Sequence, residues 1–147
     1  MNKKGFTLVE LLAVIAIIGV IAAIATPNII ALIDNGKKEQ YVADAKELIS
    51  KAKYYNKQEK YKDLFIVDGA CKVITAKKLG FSKEKTVDDT LYDLDNSKVK
   101  VCLESNTYVY YVVTITKTDN NNGRSIYNSK NIGGYVKETE LKVESVS

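Results

Sequence analysis

Apolar side chains fill almost every position from 6 to 26, the one charge among them is Glu10, and the run resumes after Pro27 with Ile29, Ile30, Leu32 and Ile33. As a helix, residues 6–26 rise about 32 Å at ~1.5 Å each, which matches the hydrocarbon core of a bilayer. Further on, Ile30, Ile33, Tyr41, Ala45, Leu48, Ile49, Ala52 and Tyr55 recur at spacings near three and four, the mark of an amphipathic helix. Lys38, Glu39, Asp44, Glu47, Lys51 and Lys53 fall on the opposite, solvent-facing side. The pattern predicts one helix over about residues 6–60, membrane-spanning in its first half and amphipathic in its second, with Gly36 as a place to bend. Pro27 removes an amide donor and crowds the carbonyl of Ala23, so the helix is expected to kink or loosen there. Gly19 weakens the preceding turn; the same glycine also permits close helix packing in a bilayer.

Beyond residue 60 the period changes. Residues 73–80 read as a short helix ended by Gly80, followed by a polar, acidic loop through Asp95. Strands are predicted at 99–104 and 107–117, joined as a hairpin across Ser105 and Asn106. Val99, Val101 and Leu103 then share a core face with Val109, Tyr111, Val113 and Ile115, the face that lies on the amphipathic helix. Tyr108 and Tyr110 fall on the other face, where cross-strand packing is preferred over an exposed aromatic patch. Residues 118–125 form a turn-rich loop, Gly133 and Gly134 mark a further break, and a last half-buried strand is predicted at 137–146. The fold class is α+β: a long helix against a small antiparallel sheet.

Composition narrows the chemistry. Histidine is absent, which removes the commonest general base and the commonest metal ligand. Asp88, Asp89, Asp93 and Asp95 lack the spacing and glycine of a calcium loop and read as solvated. No cofactor, metal site or catalytic constellation emerges, so the chain is read as non-enzymatic. Its net charge of +4 is too small for a dedicated nucleic-acid binder, and the basic, tyrosine-rich stretch at 50–62 is read as cations favoured at a helix C-terminus. Cys71 and Cys102 have no histidine to activate them. A disulfide and two free thiols both fit; a bridge would add about 3–4 kcal/mol by loop entropy. Cys102 points away from the Val101 and Leu103 face, so Cys71 must reach that outer side to pair with it.

Two ordinary readings of the apolar run fall short. A secretory signal with cleavage near Ala25 fits the basic start, but the run exceeds the ~7–15 residues of an h-region and cleavage would strand the apolar patch after Pro27. A plain membrane anchor, oriented by Lys3 and Lys4 with its N-terminus in the cytoplasm, leaves Glu10 unexplained. A carboxylate deep in a membrane helix costs about 2.5–3.5 kcal/mol and marks function or a partner. No basic residue stands between Gly5 and Lys37.

The stretch KKGFTLVELL, residues 3–12, resembles the cleavage and methylation motif of type IV prepilins and pilin-like proteins, a class III signal peptide. The resemblance implies cleavage after Gly5 by a prepilin peptidase and methyltransferase, and N-methylation of the new terminus at Phe6. It further implies pairing of that ammonium with Glu10, in the same subunit or a neighbour, and melting between Gly19 and Pro27 in the fibre. Residues 1–5 would be the leader, 6–33 the membrane and assembly half of the helix, 34–60 its amphipathic half and 61–147 a globular pilin head. Expected partners are further copies of the chain, the membrane before assembly, and the assembly platform with its ATPase; nucleic acid is left open. The chain would pass from the cytoplasmic membrane to an extracellular filament serving adhesion or motility. Alternatives are a pseudopilin of a DNA-uptake or secretion system and, outside the family, an anchored binding module that never polymerises. The disulfide that closes a C-terminal loop in many pilins is not carried over to Cys71 and Cys102.

Overall fold

The computed structural model describes residues 5–58, 69–117, 124–127 and 131–147, apart from the Ile132 side chain. One helix, α1 (Leu8–Lys57), precedes four strands, β1 (Cys71–Thr75), β2 (Lys98–Glu104), β3 (Thr107–Val113) and β4 (Val136–Lys137). Short 3-10 turns cover Ile132–Gly134, Glu138–Glu140 and Val143–Ser145. The chain divides into two compact units, Met1–Gly36 and Lys37–Ser147, and α1 supplies residues to both. α1 runs through Pro27 and Gly36; Glu59 and Lys60, where the sequence pattern ends the helix, lie outside the described residues.

In the first unit every large apolar side chain from Phe6 to Ile33 is exposed, so nothing within it covers the apolar run. α1 is long and apolar enough there to cross a membrane. The second unit has a core of its own. Tyr41, Val42, Ala45, Leu48, Ile49 and Ala52 form the buried stripe of α1 and meet Ile74, Val99, Val101, Tyr110 and Val112 from the sheet. The expected α+β architecture is present, an amphipathic helix on a four-stranded antiparallel sheet of order β1-β2-β3-β4.

Three expectations are corrected. The predicted helix at 73–80 is instead β1 followed by a single turn. Val73, Ile74 and Thr75 are β-branched and pair with Lys100, Val99 and Lys98 of β2, and such side chains pack better on a pleated surface than in a helix. The turn after it closes with Phe81 N–H donating to the Ala76 carbonyl at 3.1 Å, and Gly80 supplies the positive φ of 65° that ends it.

The second correction inverts the faces of β3. Ser105 and Asn106 both take positive φ, 48° and 63°, as a two-residue type I′ hairpin requires. That turn sets Glu104 opposite Thr107, hence Leu103 opposite Tyr108, Val101 opposite Tyr110 and Val99 opposite Val112. Tyr110 and Val112 therefore face the core, whereas Val109, Tyr111 and Val113 share the outer face with Cys102 and Lys100. The strand itself stops at Val113 and continues as single bridges at Thr114 and Thr116.

The third correction is at the C-terminus, where the strand expected over 137–146 is only β4 and then two 3-10 turns. Ser145 explains the second turn: its Oγ accepts from the Lys142 N–H at 3.2 Å and donates to the Glu140 carbonyl at 3.1 Å. Such local bonds compete with a strand ladder for the same backbone groups. Val146 still bridges Ile126, which bridges Thr114 in turn, so the chain end is tied to the sheet. Residues 118–123 of the predicted turn-rich loop lie outside the described residues.

Candidate processing and assembly site

α1 begins where the sequence offers a reciprocal cap. Thr7 is the cap residue, and its carbonyl accepts the first helical bond from Leu11 N–H at 3.2 Å. Its Oγ1 accepts from the Glu10 N–H at 3.3 Å, while the Glu10 carboxylate accepts from the Thr7 N–H at 2.8 Å and the Thr7 hydroxyl at 2.9 Å. This is a capping box, in which two otherwise orphaned amides at a helix start are satisfied. In hydrocarbon such orphans cost several kcal/mol each. Both side-chain bonds to Glu10 end on Oε2, which leaves Oε1 without a hydrogen-bond partner among the described residues.

Gly5 and Phe6 precede the helix, in non-helical and exposed chain. A methyl group added at Gly5 meets nothing within 4 Å, so the fold itself does not demand glycine there. Phe6 and Glu10 are not bonded to each other among the described residues; the backbone of the intact chain continues through Phe6, and Glu10 is held by Thr7. A methyl group added at Gly19 likewise meets nothing within 4 Å, so a glycine that costs an isolated helix up to ~1 kcal/mol relative to alanine is not required by packing among the described residues. On either side of Pro27 a short polar side chain bonds back to a carbonyl one turn earlier. Thr26 Oγ1 donates to the Ala22 carbonyl at 2.6 Å and Asn28 Nδ2 to that of Ile24 at 3.4 Å.

In the second unit, Asp44 is corrected from solvent-facing to 2% exposed. It accepts hydrogen bonds from Gln40 at 2.8 Å, from the Tyr92 hydroxyl at 3.0 Å and from Lys83. Burial first, and the Asp44 charge second, push the Tyr92 phenol far above its ordinary pKa, so it stays a neutral donor. The bond to Asp44 holds the Lys83 ammonium above the usual lysine range. Asp88, read as solvated, instead pairs with Lys37 at 2.8 Å and with Arg124 at 3.7 Å, and takes the Tyr41 hydroxyl at 3.2 Å. These two carboxylates fasten the loop between β1 and β2 to α1. Asp44→Asn keeps the shape but loses the charge that Lys83 and Tyr92 answer; the head is expected to lose about 2 kcal/mol in a denaturant melt. An unchanged midpoint would mean that the loop is held by its apolar contacts alone.

Cys71 and Cys102 stand directly opposite across β1 and β2, with Cα atoms 4.0 Å apart, and are joined in a disulfide. Because Cys71 belongs to a strand, it reaches the outer face of Cys102 without crossing the sheet.

Residues 1–26 match the family described as the prokaryotic N-terminal methylation motif. The prepilin motif is thus present at the chain's start. Over 85 residues the chain is 34% identical to the type IV major pilin protein PilA of Myxococcus xanthus, a match covering 57% of this chain and 34% of that one. Over 30 residues it is 63% identical to the type IV wide pilus major component PilA4 of Thermus thermophilus, covering 20% of this chain and 23% of that one. The chain therefore spans about a third and about a quarter of the curated relatives it matches. No solved structure matches it.

Within the prepilin motif the residue that sequence reasoning passed over is Thr7. The signal was available: Thr-x-x-Glu ahead of an apolar run is a capping box in sequence form. Glu10 thus has a second use as a backbone acceptor beside its charge.

Proposed function

We propose that this chain is the precursor of a structural subunit of a type IV pilus or a related pilin-like filament. The observation that carries the reading is Glu10, a carboxylate inside the methylation motif, held by Thr7 at the start of a bilayer-length apolar helix, its second oxygen without a hydrogen bond among the described residues. Residues 1–5 serve as the leader, removed after Gly5 on the cytoplasmic side by a prepilin peptidase that also methylates Phe6. The new ammonium supplies the positive charge that the chain lacks between Gly5 and Lys37. Residues 6–33 anchor the subunit in the membrane and then assemble, residues 34–60 carry the head, and residues 61–147 form the head outside the cell. An assembly platform and its ATPase drive polymerisation.

Unpaired charge in a low-dielectric setting costs several kcal/mol, whereas apolar helix packing depends little on axial position. The Phe6 ammonium of an incoming subunit against Glu10 of one already placed therefore selects the register, while the apolar faces supply the driving force. Gly19 and Pro27 let the intervening segment extend in the fibre. Support for Gly5 as the processing determinant comes from its open surroundings: a methyl group there meets nothing within 4 Å, so packing among the described residues does not require the glycine. Gly5→Val is expected to fold and insert normally yet to remain at precursor size on an immunoblot from cells with the peptidase. Mature-sized Gly5→Val protein would overturn that assignment.

A further inference from the structure

Between Ile33 and Tyr41, α1 runs through Asp34, Asn35, Gly36, Lys37, Lys38, Glu39 and Gln40, with no large apolar side chain. Asp, Asn and Gly are weak helix formers, and a methyl group added at Gly36 meets nothing within 4 Å. The first compact unit ends at Gly36 and the second begins at Lys37, yet the buried apolar stripe of α1 starts only at Tyr41. The turn at 37–40 is therefore helical without an apolar anchor of its own.

A polar anchor stands in that place. Lys37 Nζ lies 2.8 Å from a carboxylate oxygen of Asp88, whose side chain is only 10% exposed. The Tyr41 hydroxyl, one helical turn further along α1, donates to the other oxygen at 3.2 Å, and Arg124 approaches that same oxygen at 3.7 Å. Lysine and tyrosine four residues apart share a helix face, so one carboxylate holds both ends of the turn. Asp88 is itself fixed within the loop between β1 and β2, where its N–H donates to Thr86 Oγ1 at 3.2 Å. Such charge-assisted bonds to a shielded carboxylate are stronger than exposed pairs, and removing one partner leaves a charge that water cannot fully replace.

We infer that Asp88 sets the limit to which α1 can unwind. Up to Gly36, unwinding gives up backbone hydrogen bonds but no buried side chain among the described residues. Past that point it must first strip Lys37 and then Tyr41 from Asp88. A pull on the N-terminal half then lengthens the chain by about 2 Å for each residue released from the helix and stops at the head. The stop is a property of the second unit and holds whether or not the chain assembles, so it stands apart from the filament reading.

Residue-resolved hydrogen exchange on the full-length chain in detergent micelles tests it. The amides of residues 41–44 donate to the carbonyls of residues 37–40, so their exchange reports whether this turn is held. Asp88→Asn is expected to speed exchange at 41–44 about tenfold while residues 48–52 keep their wild-type rates. Lys37→Gln, which removes one partner at a partly exposed position, is expected to speed the same amides about threefold, and Lys37→Arg, which keeps the cation, to leave them unchanged. Unchanged rates at 41–44 in Asp88→Asn or in Lys37→Gln overturn the inference. Equal acceleration at 48–52 overturns it too, because Asp88 would then stabilise the head as a whole rather than stop the helix at one turn. If Asp88→Asn does not fold, the contrast between Lys37→Gln and Lys37→Arg decides.

Discussion

Glu10→Gln is expected to leave the subunit inserted and cleaved while cutting surface-fibre yield at least tenfold. Insertion becomes easier, because a carboxylate costs about 2.5–3.5 kcal/mol at the centre of a membrane helix and less toward its end, and an amide costs less than a carboxylate at either place. The helix start also survives, since the Gln side-chain carbonyl accepts from the Thr7 N–H as the carboxylate does. Only the charge is lost, which makes this substitution the clean one. Glu10→Val removes the charge and the cap together, and it is expected to assemble no better than Glu10→Gln and to fray the first turn of α1. Co-expressed wild-type subunits should restore part of the incorporation of either variant, because their carboxylates can still receive a variant's amine. Membrane-fraction blots control for insertion. If the Glu10→Gln fibre yield equalled wild type, the carboxylate would be needed for capping alone and the register account would fall.

Reduction of the Cys71 to Cys102 bridge is expected to lower the stability of the head by about 3–4 kcal/mol, since the bridge closes a 31-residue loop. For a head of this size that corresponds to roughly 15 °C in melting temperature. The bridge sits at the edge of the sheet, where β1 has five residues and, among the described residues, only β2 as a strand partner. A short edge strand of this kind gains most from a tether, because it frays first. Cys71→Ser with Cys102→Ser should therefore melt like the reduced wild type, and reductant should no longer shift it. A head that melts within a few degrees with and without reductant would show that β1 is held by its packing, chiefly Ile74 against the core.

The long helix and its two characters were legible because they rest on extended patterns: an unbroken apolar run, then a stripe at helical spacing. The hairpin was legible too, from Ser105 and Asn106 between two apolar alternations. What failed was the face of β3. Both of its faces are apolar, Tyr108, Tyr110 and Val112 on one and Val109, Tyr111 and Val113 on the other, so alternation cannot choose between them. The turn can: two residues between Glu104 and Thr107 fix Val101 opposite Tyr110, and counting back from the turn gives the core face that hydrophobicity leaves ambiguous.

Asp44 was misplaced for a related reason. A carboxylate between Tyr41 and Ala45 reads as the polar side of a helix, and only partners remote in sequence, Lys83 and Tyr92, make its burial tolerable. Nothing local announces them. Val73, Ile74 and Thr75 did carry a local strand preference, and it was outweighed by Gly80 as a helix stop. At the N-terminus the candidate residues Gly5, Phe6 and Glu10 stand out by motif, whereas the role of Thr7 follows only from the orphaned backbone amides of a helix start.

The central claim is that the chain is cut after Gly5 and enters a filament by its new N-terminus. Intact-mass and N-terminal peptide mass spectrometry of subunits recovered from sheared surface fibres tests it most directly. The account predicts a subunit beginning at N-methylated Phe6, with Glu10 retained and Cys71 bridged to Cys102. A secreted form beginning at Thr26, or an uncleaved chain that never appears in fibres, would contradict it.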